Sequence, residues 1–170
     1  MKGLPVAVVS CTLLSMAAAS QSDKADDVSR WKAFTNRAGW SIKYPRNWKV
    51  YSCHSCPDPT APNVFVAFEN PKTDEIVMVD QFIDRPADQG IEQWLNDIKT
   101  TTNLNPKVSE EWVTFGQERA LKVVTRNQDS TECETFYVVH GSKTFAVRID
   151  RGTPSYHLYQ LMLSTFRFTN

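Results

Sequence analysis

Two short runs, Val64-Phe65-Val66-Ala67-Phe68 and Ile76-Val77-Met78-Val79, carry an apolar side chain at every position. A strand with one face in water alternates apolar with polar residues. Strands that are apolar on both faces belong inside a sheet that is covered on each side. Asn70-Pro71-Lys72-Thr73-Asp74 supplies the turn between them, so the two strands are neighbours. The chain is therefore confined to layered folds. Its 170 residues suit one domain, and a hydrophobic fraction of 41% is enough to fill its core.

The flanking segments extend the pattern. Residues 31–34 and 40–44 both alternate around Asn36-Arg37-Ala38-Gly39, which marks a hairpin. Pro45 has no N–H for a ladder and ends the second strand. Residues 47–51 begin another extended segment, and Pro57, Pro59 and Pro62 make residues 53–62 an irregular loop. Ile91, Trp94, Leu95 and Ile98 fall at i, i+3, i+4 and i+7, which predicts an amphipathic helix over residues 88–101. Asp88 is its candidate N-cap, and Asn103-Leu104-Asn105-Pro106 stops it. Strands follow at 108–115, 120–125, 135–139 and 144–149. A second helix over 155–163 carries Tyr156, Tyr159 and Leu163, and a short strand ends the chain at 165–168. Many strands on short turns with two helices predict an α+β fold: a central antiparallel sheet with helices packed on its faces.

Lys2 followed by an uncharged apolar stretch to Met16 and by Ala17-Ala18-Ala19 has the form of a secretory signal peptide. Residues 1–19 are expected to be removed, 20–30 to form a flexible polar leader, and 31–170 to form the domain. The product would be periplasmic or secreted, with no membrane span. An alternative reading of Val8-Val9-Ser10-Cys11 places a lipid anchor on Cys11. The net charge is zero, which gives nucleic acid or anionic lipid nothing to bind.

Cys53-His54-Ser55-Cys56 is the most chemically suggestive motif. In an oxidising compartment Cys53, Cys56 and Cys133 are disulfide candidates, with connectivity open and one thiol left over. The rival reading makes Cys53, His54 and Cys56 metal ligands, completed by Cys133, His140 or His157. A thiol-redox role would need a helix after the pair, and the prolines forbid a useful one. The sequence has no Gly-X-Ser-X-Gly elbow, no His-Glu-X-X-His and no Gly-rich phosphate loop, so no enzyme and no cofactor is predicted. At least three of the five tryptophans belong to the core. Trp112, flanked by Glu110, Glu111 and Thr114, is the candidate exposed binding contact.

The stretch Asn36-Arg37-Ala38-Gly39-Trp40-Ser41-Ile42-Lys43-Tyr44-Pro45-Arg46-Asn47-Trp48-Lys49-Val50 resembles the opening of PsbP-like domains. The helix at Ile91 to Ile98, the meandering strands after it, and the ending Leu163-Ser164-Thr165-Phe166-Arg167-Phe168 fit the same order. The resemblance implies an α-β-α sandwich on a central antiparallel sheet. It also implies a mainly non-enzymatic family: accessory subunits of photosystem II in plants and cyanobacteria, and exported or chaperone-like proteins in other bacteria. The Cys-His-Ser-Cys loop departs from that pattern, and no manganese or calcium ligand carries over. The resulting expectation is an exported, non-catalytic accessory domain acting through an unidentified protein partner. The alternatives are the metal or thiol protein above and an inhibitor or immunity-type protein for a secreted toxin.

Overall fold

The computed structural model describes residues 27–53, 64–82, 89–101 and 105–169. The signal-peptide segment, Asp88, His54 and Cys56 lie outside them. Strands β1 (Lys32–Asn36) and β2 (Trp40–Tyr44) form the hairpin. Its turn closes where Asn36 accepts the Ala38 N–H at 2.7 Å and Gly39 adopts φ +97°. A side chain at Gly39 would be strained by that φ and would meet the Thr169 carbonyl at 3.0 Å.

A seven-stranded antiparallel sheet follows: β3 (Lys49–Cys53), β4 (Val64–Glu69), β5 (Ile76–Phe82), β6 (Lys107–Phe115), β7 (Glu118–Arg126), β8 (Glu132–His140) and β9 (Lys143–Arg151). Their spatial order is β3-β4-β5-β9-β8-β7-β6. Helix α1 (Ile91–Thr101) lies in the connection that carries the chain from β5 to the far edge. From there β6 to β9 return as a meander and close on β5. Helix α2 (Tyr156–Ser164) precedes the short β10 (Arg167–Phe168).

Alternation along the strands assigns each residue a face. On the α2 side, Val77, Val79, Phe145, Val147, Ile149 and Val138 are buried in the larger core. Tyr159, Met162 and Phe166 close over them, with Trp40 stacked on Phe166 at 5.6 Å. On the opposite side, Ile91, Trp94 and Leu95 of α1 pack on Leu121 and Val123 in a smaller, separate core. Phe82 and Tyr137 meet Trp94 edge-on at 5.1 and 6.3 Å. The fold is thus α+β, with a central antiparallel sheet covered by a helix on each side.

Two details differ from the sequence expectation of one sheet clothed by two helices. β1 and β2 leave the main sheet and pair with β10 as a separate three-stranded sheet. The turn at Pro45, where Trp48 N–H bonds the Pro45 carbonyl at 3.1 Å, carries the chain from that sheet to the edge strand β3. The small sheet lays Trp40, Ile42 and Tyr44 onto the core beside α2, apolar area that an edge position would leave wet. The end of the polar leader is also ordered. Asp27 caps a single 3-10 turn, Val28–Arg30, through the Ser29 N–H, and Val28 packs against the larger core.

Candidate functional site

Among the described residues, α1 covers only part of the sheet face on which it lies. Cross-strand register there sets up rows of side chains running across the strands. Asp80, Ala146, Tyr137 and Leu121 form the row that α1 approaches. Met78, Arg148, Thr135 and Val123 form the next, and Asp150, Cys133 and Thr125 the one beyond. The latter two rows floor a groove of about 330 Å³, with Leu95 and Tyr137 toward the helix side and Asn105 and Asn127 among its polar lining.

Its electrostatics are unusual for the middle of a sheet. Asp80 is 2% exposed, and its Oδ1 has no hydrogen-bond partner. Arg148 Nη2 stands 3.9 Å from Asp80 Oδ2, too far for a hydrogen bond but close enough for attraction. Burial pushes the Asp80 carboxyl up to about 6, against the opposing pull of the Arg148 charge. Burial also raises Asp150, Cys133 and Tyr137. The thiol and the phenol are therefore held neutral, and a neutral thiol is a poor nucleophile. The arrangement suits binding through Arg148 better than covalent chemistry.

A second feature lies at the sheet's edge. Trp112 on β6 is 38% exposed. Its indole Nε1–H donates to Glu92 Oε1 of α1 at 2.9 Å, and the Arg119 guanidinium lies 4.0 Å over the ring. These two contacts fix the plane of the ring. Among the described residues β6 has no neighbouring strand on its outer side, and Val108 is exposed beside a register shift between Lys107 and Ser109.

Of the three disulfide candidates the structure describes two, Cys53 and Cys133. Cys133 is a buried free thiol within β8, its Sγ 3.9 Å from the Thr135 hydroxyl. Cys53 ends the edge strand β3, four strands from β8, a lateral distance of about 19 Å at ordinary strand spacing. A disulfide spans less than about 7 Å between Cα atoms, so Cys133 cannot pair with Cys53. Cys53 is disulfide-bonded, and its partner lies outside the described residues. A half-cystine cannot serve as a thiolate ligand, and His54 and Cys56, the other two residues of the metal reading, lie outside the described residues. The histidines named to complete it stand elsewhere. His140 Nδ1 is 2.9 Å from Glu118 Oε1 and its ring stacks on Phe168, while His157 lies early in α2. Among the described residues no three His, Cys, Asp or Glu side chains converge to hold a metal.

The groove itself was missed by reading the sequence. Its signal was present as an acid, Asp80, directly continuing an otherwise apolar strand, and an arginine, Arg148, inside another apolar strand. Nothing local connected the two.

No family model matches the sequence, and no curated protein matches it. Solved structures match it in shape. The chain resembles the cyanobacterial PsbP (CyanoP) of Synechocystis with a TM-score of 0.59 at 13% identity, over 81% of this chain and 91% of that one. A crystal structure from Bacteroides thetaiotaomicron matches with a TM-score of 0.50 at 16% identity, over 82% of this chain and 49% of that one. At such identities the likeness defines the fold alone. The fold is PsbP-like.

Proposed function

We propose that the chain is an exported, non-catalytic accessory domain of the PsbP-like kind, which works by holding another protein at the β6 edge. Trp112 is the observation that carries this reading. An aromatic ring locked by Glu92 and Arg119 loses little freedom on binding, and such rings anchor protein interfaces. Its own strand, β6, is an edge among the described residues and offers backbone groups to an incoming strand. The likeness to cyanobacterial PsbP supports the accessory role, and residues 1–19 support export. No helix among the described residues is long and apolar enough to cross a membrane.

A photo-crosslinking side chain placed at position 112 of the exported chain tests the contact in its native compartment. The reading expects one discrete protein adduct there and none from the same group at Lys72, in the exposed turn between β4 and β5. Equal labelling from both positions, or none from either, would reject it. N-terminal sequencing of the recovered chain is expected to begin at Ser20, and an intact Met1 would remove the export clause.

A further inference from the structure

We propose that the groove on the α1 side of the sheet binds a small organic anion, a carboxylate or sulfonate head on an apolar body of about eight carbons, with Arg148 gripping the head. The site is separate from Trp112 and stands whether or not Trp112 meets a partner.

Arg148 is the first reason. Its side chain is 45% exposed and lines the groove, and it makes no hydrogen bond among the described residues. A guanidinium carries five N–H donors in a planar fork that fits a carboxylate or sulfonate. Its ion-pair partner, Asp80, sits beneath it at 3.9 Å, and Asp80 Oδ1 is sealed from solvent. Asp80 is thus a positioning residue. It holds the guanidinium in place without consuming the donors and cannot itself be reached by a ligand. The second reason is the wall. Ile76, Met78, Leu95 and Val123 flank Arg148 with apolar surface, and Tyr137 adds a ring. A charged head beside an apolar trough matches an amphipathic anion, and a volume of about 330 Å³ falls at the small end of ligand sites.

The pairing makes binding depend on protons. An anion that draws Arg148 toward the groove takes away the charge that keeps buried Asp80 ionised, so Asp80 takes up a proton. Protonating Asp80 first frees Arg148 in turn. By reciprocity, affinity rises as pH falls through about 6. The titratable groups facing Arg148 are Asp80 from β5, Cys133 and Tyr137 from β8, and Asp150 from β9 itself; β7 and α1 contribute Val123, Thr125 and Leu95, which carry no charge. Asp150 acts in the same direction as Asp80, because its neutralisation also leaves Arg148 free for an outside anion.

The test is titration calorimetry on the whole chain with octanesulfonate, which stays charged at every pH used, and with octan-1-ol and octylammonium as controls. Octanesulfonate is expected to bind at least about tenfold more tightly than either control, and about fivefold more tightly at about pH 5.5 than at about pH 8. Amide shifts are expected at Thr135 and Val123. Arg148→Met is expected to lose about tenfold in affinity. Arg148→Lys, which keeps the charge but not the fork, is expected to fall between and serves if the methionine variant folds poorly. Asp80→Asn is expected to bind at about pH 8 as the parent does at about pH 5.5, a result that a purely structural Asp80 would not give. Octanol binding as tightly as octanesulfonate, an Arg148→Lys protein binding like the parent, or no binding at all would overturn the proposal.

Discussion

Strand β9 contributes Phe145, Val147 and Ile149 to one face of the large sheet and Ala146, Arg148 and Asp150 to the other. Strand β5 repeats the contrast, with Val77 and Val79 against Met78 and Asp80. The α2 side is closed by a helix and a second sheet, so its strands bury a nearly continuous apolar surface, with Glu134 held there by the Tyr156 hydroxyl and Arg151. Among the described residues the α1 side is closed by one helix, which packs on Leu121, Val123 and Tyr137 and leaves Arg148 exposed beside the groove. Arg148, 45% exposed there, keeps its charge in water at a position where an apolar side chain would stay wet. The same strands thus supply stability on one side and a candidate binding groove on the other. Coverage decides which.

The largest test of that division is Trp40→Ala. It removes a ring stacked on Phe166 in the closed core and is expected to lower unfolding free energy by about 4 kcal/mol in urea titration. A loss below about 1 kcal/mol would mean that this side is not the stability core. Next comes Asp80→Asn on the opposite face. The folded-state pKa of Asp80 lies above its unfolded value, so the native state binds the extra proton between about pH 4 and 6. Its contribution to stability is therefore greatest at acid pH and falls as pH rises through about 6. Replacing Asp80 by asparagine is expected to flatten that decline and to add at most about 3 kcal/mol at neutral pH, read from the difference between parent and variant stability across pH. An unchanged slope would show that Arg148 already compensates the buried charge. The smallest effect is expected for Leu95→Ala, about 2 kcal/mol, because water and mobile side chains can enter the space beside the groove. A loss as large as that for Trp40 would erase the asymmetry between the faces.

Much of this architecture was legible in the chain. The hairpin at Trp40, the meander from Val108 to Ile149 and the stripe of Ile91, Trp94 and Leu95 are short-range patterns, set by periods of two and 3.6. Trp112 stood out among the tryptophans for the same local reason, since its neighbours are charged. The division into two sheets was not legible. It depends on β10, the last strand, reaching β2 near the start of the domain, a pairing with no short-range sign. Which cysteine stays free was not legible either, because spacing along the chain says nothing of the three strands that lie between Cys53 and Cys133.

What the residues alone determined is which segments become strands and helices and which face of each seeks the core, since those follow from interactions within a few positions. Only the tertiary structure decided that β5 pairs with β9, and hence that Arg148 stands over Asp80 beside an open groove. Register across distant strands is selected by packing the whole sheet at once, and a shift of one residue would turn both side chains to the other face.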